Sequence, residues 1–278
     1  MDIDKIEFTK MQGAGNDFVV IDNRKYQFRM KDLIQWAPRL CNRKFGIGAD
    51  GLLVLSNPQI DGLDYTMIYR NADGSDAGMC GNGARCLALF ARKSGFDTEQ
   101  RFNVHDNIYR AKVRSNDEVE ISFPVKTQIT EITLDDQPLF EVYTGTEHVV
   151  RQELDKNTLR REDELRRIGR RFRMHEHFQP IGTNVNFMHG SGEKELNIQT
   201  YERGVEDLTL ACGTGAIASA LVWHHIQNSH RETKTEYTVN VKGGKLSVEF
   251  SFDPSTRTYS NIKLKGKVEF VFTGEYYL

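Results

Sequence analysis

One pentapeptide occurs twice in this chain. Cys80-Gly-Asn-Gly-Ala and Cys212-Gly-Thr-Gly-Ala share four of five residues at a separation of 132 positions in 278. The likeness extends on both sides. Tyr69-Arg-Asn71 and Tyr201-Glu-Arg203 each close a strand-like run, and each tyrosine lies 11 residues before its cysteine. Downstream, Cys86-Leu-Ala-Leu-Phe-Ala91 and Ala216-Ile-Ala-Ser-Ala-Leu-Val-Trp223 are almost wholly apolar. A helix apolar on nearly every side has to be surrounded by protein. The chain therefore reads as two related halves, each with a strand, a loop, a Cys-Gly-x-Gly turn and a buried central helix. Matching sites in matching halves predict a cleft between them, with one cysteine from each wall.

Apolar, β-branched runs bounded by Gly, Asn or Asp fill much of the rest, among them 18–21, 52–55, 65–69, 119–123, 196–201, 246–250 and 268–272. Several alternate as half-buried strands do. Helical patterns are fewer, at about 31–42, 80–93, 158–172 and 212–228. The expected fold class is α+β: two pseudo-symmetric lobes, each a mostly antiparallel β-sheet or barrel wrapped round a central apolar helix. The expected boundaries are 1–123 for the N-terminal lobe with Cys80 and 124–266 for the C-terminal lobe with Cys212, joined near Phe123-Pro124. The final strand, 267–278, is expected to return to the N-terminal lobe.

Bulk properties exclude several function classes. A formal net charge of −2 lacks the basic excess that phosphate binding needs. The dense basic stretch Arg160–Arg171 is interleaved with acids and reads as a solvated helix face over Leu159, Leu165 and Ile168. No apolar run approaches the roughly 20 residues that span a bilayer. The N-terminus shows no secretory h-region, so a reducing cytoplasm is expected and the cysteines at 41, 80, 86 and 212 are read as thiols. No metal site is expected, because the closest cysteine spacing, 80 to 86, is too long for a zinc knuckle and His224-His225 points its rings apart. Gly13-Ala-Gly15-Asn16-Asp17 lacks the third glycine of a dinucleotide fingerprint and precedes its strand.

The Cys-Gly-x-Gly turns carry the chemistry. A Gly-x-Gly turn opening a helix leaves backbone N–H groups without intrahelical acceptors, and the helix dipole makes that end an anion site. A cysteine there has its thiolate favoured by the same field. Two such turns facing each other would grip one carboxylate and put a sulfur on each side of the carbon that bears it. A racemase or epimerase without a cofactor needs that arrangement: a base on one face, an acid on the other, and oriented donors for the carbanion. The two thiols should titrate as a coupled pair. Cys86, on the apolar side of its helix, and Cys41 are read as structural. Competing functions are a racemase of another small amino acid such as proline, a non-catalytic amino-acid binder, and a redox protein joining Cys80 to Cys212.

Specific stretches then carry a resemblance: Lys10-Met-Gln-Gly-Ala-Gly-Asn16, Phe45-Gly-Ile-Gly-Ala-Asp50, Tyr69-Arg-Asn71, Met79-Cys80-Gly-Asn-Gly-Ala-Arg85-Cys86, Gly182-Thr-Asn184-Val-Asn-Phe, Tyr201-Glu202-Arg203 and Leu210-Ala-Cys212-Gly-Thr-Gly215. Together they run nearly the whole length, and the chain resembles the diaminopimelate epimerase family. The resemblance implies a cofactor-independent interconversion of LL- and meso-2,6-diaminopimelate for lysine and peptidoglycan synthesis. It implies Cys80 and Cys212 as the catalytic pair, with His148 and Glu202 in support. It implies Gly81, Asn82, Gly213 and Thr214 as the cradle of the reacting carboxylate, and Asn16, Asn71, Asn184, Glu202 and Arg203 as holders of the amines and the distal carboxylate. Thr146 stands where many members carry a substrate-binding asparagine. Gly51 occupies a position that is often a side-chain ligand, so contact there is through backbone. A homodimer is compatible with the family.

Overall fold

The structure is a computed structural model describing residues 4–76, 78–227 and 234–277. Residues 1–3, 228 and 278, which bound three of the expected segments, lie outside the described residues. The chain divides into two compact units, Met1–Ser122 with Gly266–Leu278, and Phe123–Lys265.

In the first unit β1 (Lys5–Gly13), β2 (Asn16–Asp22), the short α1 (Asn23–Tyr26), α2 (Met30–Cys41), β3 (Gly51–Ser56), β4 (Tyr65–Asn71), α3 (Gly81–Lys93), β5 (Glu99–Val104), β6 (Asn107–Val113) and β7 (Glu118–Phe123) follow in order. The second unit holds β8 (Ile129–Leu134), β9 (Gln137–Tyr143), β10 (Glu147–Gln152), α4 (Glu162–Arg173), β11 (Asn184–Gly192), β12 (Glu195–Tyr201), the two-residue β13 (Leu208–Thr209), α5 (Gly213–Ile226), β14 (Lys234–Val241), β15 (Gly244–Asp253) and β16 (Thr258–Lys267). The chain ends in β17 (Glu269–Tyr277), which pairs antiparallel with β1 in the first unit.

The repeat in sequence is a repeat in strand sense. In the first unit β1–β2 is antiparallel, β2–β3 parallel, β3–β4 antiparallel, β4–β5 parallel and β5–β6 antiparallel. The second unit repeats that order through β9–β10, β10–β11, β11–β12, β12–β14 and β14–β15. The antiparallel β8–β9 pair then matches β17–β1. Antiparallel pairing dominates, as expected, but each unit also has two parallel pairs. A parallel pair needs a crossover connection, and α2, α3, α4 and α5 lie on those crossovers.

The central strands of each unit are covered on both faces. In the first unit Ile6, Val19, Ile21, Leu52 and Val54 pack with Leu33, Ala37 and Leu40 of α2. Leu53 points the other way, against Gly83 of α3. This is why β3, Gly-Leu-Leu-Val-Leu-Ser, is buried at every residue and does not alternate. In the second unit Val149, Val185, Phe187 and Tyr201 pack with Leu165 and Phe172 of α4, and the arginines of the basic stretch stay on its outer side. The inner helices are surrounded. α3 touches β1, β2, β3, β4 and β6, and α5 touches seven strands from β8 to β15. Burying Ile217, Leu221 and Val222 completely contributes on the order of 1.5–3 kcal/mol each.

Register gathers the candidate residues at one end of each sheet. Gly51 on β3 pairs with Phe18 on β2 and with Asn71 on β4. In the second unit His148 pairs with Asn184, and Val185 with Tyr201, next to Glu202 and Arg203.

Candidate active site

Both cysteines cap their helices in nearly the same geometry. Cys80 has extended backbone (φ −115°, ψ 115°), and its sulfur accepts the Gly83 N–H at 3.4 Å. Cys212 has φ −112°, ψ 115°, and accepts the Gly215 N–H at 3.4 Å. In each case the cap sulfur closes on the third N–H of the helix as a serine or aspartate oxygen does. Gly81-Asn82 and Gly213-Thr214 form the two first turns. Their sulfurs sit at the positive ends of two buried helix dipoles, where an anion is favoured. Cys86 and Cys41 differ. Both are buried, burial pushes the Cys41 thiol up to about 12 and Cys86 higher still, so neither is a nucleophile at neutral pH.

Around Cys80 the structure brings Asn16 and Asn82 together. Residues Ala14 (φ 53°) and Gly15 (φ 83°) form a two-residue hairpin turn between β1 and β2, with Gly13 opposite Asn16. The glycines of this stretch therefore serve a hairpin, not a nucleotide loop. Asn16 Nδ2 donates to Asp50 Oδ2 at 2.6 Å, which turns its Oδ1 toward Asn82 Nδ2 (3.4 Å) and Cys80 Sγ (3.7 Å). Asp50 is itself held by Arg43 at 2.7 Å, and Arg43 also grips Asp17, which pairs with the buried Lys10 at 2.6 Å. Burial alone would raise the Asp17 carboxyl, but hydrogen bonds from Arg43 and Lys10 hold it at about 2. Asn71 closes its own turn, its Nδ2 donating to Ser75 Oγ at 3.0 Å. Gly51 admits no side chain, since a Cβ there would lie 2.4 Å from the Tyr69 ring and 2.6 Å from the Arg70 carbonyl.

In the second unit Cys212 Sγ lies 3.5 Å from Thr214 Oγ1, and Thr144 Oγ1 donates to the Thr214 carbonyl at 3.1 Å. Arg203 is fixed from several sides. Its Nη1 donates to Glu147 Oε2 (2.9 Å) and to the Ile181 carbonyl (3.0 Å), and its Nη2 to Thr146 Oγ1 (2.8 Å). Its backbone N–H donates to Asn184 Oδ1 at 3.0 Å. Thr146, Asn184 and Arg203 thus form one cluster, and the ion pair of Arg203 is with Glu147, not with its neighbour Glu202. Glu202 instead accepts from the Thr209 hydroxyl.

His148 is buried and neutral. Burial, then the charge of Arg203, lowers its pKa to about 3 against the opposing hydrogen bond from Asn186. Asn186 Nδ2 lies 3.0 Å from His148 Nδ1 and 3.1 Å from the Val149 carbonyl, while its Oδ1 accepts from Thr200 Oγ1 at 2.9 Å. An amide nitrogen facing Nδ1 makes Nδ1 the acceptor and puts the ring proton on Nε2, which is buried and has no hydrogen-bond partner among the described residues. Asn186, Glu147 and Asp50 are the residues that sequence reading passed over. For Asn186 a signal existed: it stands two positions after Asn184 on β11, on the same face of the strand.

A family model described as diaminopimelate epimerase matches residues 8–124 and 140–271. The chain belongs to the diaminopimelate epimerase family. Proteins named diaminopimelate epimerase from Flavobacterium psychrophilum and Aquifex aeolicus are 39% and 36% identical to it. The first alignment covers 95% of this chain and 97% of the relative, the second 97% of each. Among solved structures, a phenazine biosynthesis protein of the PhzF family from Bacillus anthracis superposes with a TM-score of 0.76 at 12% identity, over 99% of this chain and 100% of that one. A hydroxyproline epimerase from Agrobacterium vitis gives 0.69 at 13% identity, over 99% and 93%. These two share the fold of this chain, in which the two lobes expected from the repeat carry parallel pairs among the expected antiparallel ones. Among the described residues no helix is long and apolar enough to cross a membrane, and no cluster of His, Cys, Asp or Glu has metal-binding geometry.

Proposed function

We propose that this family member interconverts LL- and meso-2,6-diaminopimelate, a step that supplies lysine and peptidoglycan precursors, by passing the α-proton between two thiols without a cofactor. One observation carries the reading: two cysteines in one chain cap two buried helices with the same dihedrals and the same sulfur-to-glycine contact. One sulfur, as thiolate, removes the α-hydrogen from one face, and the other, as thiol, returns a proton to the opposite face. Reversing the roles runs the reaction backwards.

The carbanion formed between these steps is delocalised into the adjacent carboxylate, so donors aimed at that carboxylate lower the barrier most. The first turns at Gly81-Asn82 and Gly213-Thr214 supply them. Asn16, Gly51, Asn71, Thr146, Asn184, Glu202 and Arg203 hold the amines and the distal carboxylate, and the Arg203 fork suits the latter. His148 acts as a neutral Nε2–H donor, and Glu202 supports the second turn. The enzyme works in the cytoplasm on a small molecule, with neither nucleic acid nor membrane as partner.

Cys80→Ser and Cys212→Ser test the reading. Each should keep the fold and lose about 10²–10⁴-fold in epimerisation, the range that one positioned acid or base supplies. Either variant turning over at near the normal rate would end the two-thiol account.

A further inference from the structure

Arg85 lies five residues after Cys80, on the second turn of α3, and has no exposed surface. The position that matches it in the other half, five residues after Cys212, is Ile217, which is equally buried. This place in the fold accepts an apolar side chain, so packing does not call for an arginine. Burying a guanidinium without an acidic partner is costly, and among the described residues no carboxylate pairs with it. Its Nη2 donates to Asn82 Oδ1 at 2.7 Å and its Nη1 to the Gly81 carbonyl at 3.2 Å, while Nε has no hydrogen-bond partner among the described residues.

Both contacts are with the first turn that Cys80 caps. The bond to Oδ1 fixes the Asn82 amide with its Nδ2 toward Asn16 Oδ1, 3.4 Å away, beside the Cys80 sulfur. The Gly81 carbonyl and the Asn82 N–H belong to one planar peptide and point in opposite directions. A cationic donor on the carbonyl polarises that peptide and makes its N–H the stronger donor.

The surrounding charges leave this effect uncancelled. Among the described residues only the Cys86 and Cys80 thiols act electrostatically on Arg85, and no titratable side chain of β1, β2, β3, β4 or β6, the strands packed on α3, does so. Burial lowers Arg85 to about 10, so it remains charged at neutral pH, and burial keeps Cys86 a neutral thiol. Lys10 of β1 and Asp17 of β2 are paired with each other, and Asp50, which reaches Cys80 through Asn16, is paired with Arg43.

We propose that Arg85 is a positioning residue for proton transfer at Cys80: from behind α3 it orients Asn82 and strengthens the donors of the first turn, from the position that holds Ile217 in the other half. The proposal rests on Cys80 being one of the two reacting thiols.

The test uses the full-length enzyme and follows carbamidomethylation of each cysteine by mass spectrometry across pH 6–10, with kcat and KM for diaminopimelate alongside. In Arg85→Ile, the residue that the other half uses, Cys80 should react about tenfold more slowly at neutral pH. Its half-reactive pH should move up by about one unit, and kcat should fall about tenfold with KM little changed. Cys212 should keep its rate, and Arg85→Lys should restore most of the Cys80 rate. Should the isoleucine variant be unstable, Arg85→Gln, neutral but able to donate one hydrogen bond, gives the same comparison. A folded variant with normal Cys80 reactivity and kcat overturns the proposal, and so does equal loss at both cysteines. A Cys80→Ser enzyme that still epimerises overturns the reading of Cys80 itself, whatever the Arg85 variants show.

Discussion

At the scale of single residues, His148 shows how surroundings set a side chain's chemistry. Its pKa of about 3 comes from burial and the Arg203 charge, so the folded protein keeps it neutral at every working pH. In the unfolded chain a histidine takes up a proton below about 6.5. Between these values the unfolded state binds the extra proton, so this contribution to stability is complete above pH 6.5 and is lost as pH falls. Urea denaturation at pH 7 and pH 5 should show the wild type losing about 2 kcal/mol more than His148→Gln over that interval. Equal losses would mean that His148 is protonated in the folded state. The place of His148 could be read from its motif, but its protonation and tautomer could not. They depend on Asn186, 38 residues away on another strand, and on Arg203 beyond it.

Among the elements, the two central helices were the most legible part of the sequence. Their apolar runs and Gly-x-Gly openings fix length and burial locally, and α3 and α5 run 81–93 and 213–226 against expected patterns of 80–93 and 212–228. The cysteines stand just outside, as caps. What periodicity could not give is what each helix meets. A Cβ on Gly83 would come within 3.0 Å of the Leu53 Cδ2 atom, the end of a side chain that can turn aside. A Cβ on Gly215 would lie 2.3 Å from Asn186 Oδ1 and 3.1 Å from Thr200 Oγ1. Asn186 cannot retreat without breaking its bonds to Thr200, Val149 and His148. Alanine is favoured over glycine in a helix by about 1 kcal/mol. Gly83→Ala should therefore be close to neutral in stability, while Gly215→Ala should cost about 1–3 kcal/mol by overpacking. Equal chemical-denaturation midpoints for the two variants would show that the Asn186 brace is soft.

Over the whole molecule the duplication was visible in two pentapeptides, and the same order of strand senses in both units bears it out. The parallel pairs on the helical crossovers were not legible, because strand sense is set by connections that carry no residue signature. Set against each other on their cysteines, the two halves differ in the residues that surround the turns: Asn71 against Arg203, Asn82 against Thr214, Arg85 against Ile217. Two thiols that act on opposite faces leave a signature in the label each isomer carries. The enzyme is mixed with unlabelled LL-diaminopimelate in D₂O, and early time points are read by proton NMR and mass spectrometry. The abstracting thiol keeps the substrate's hydrogen while the opposite thiol, already exchanged with solvent, delivers deuterium. The account predicts that the first meso-diaminopimelate formed carries deuterium at the inverted carbon while the remaining LL isomer is still unlabelled. Early meso product that retains the original hydrogen would mean that a single base serves both faces, and would contradict the two-thiol mechanism.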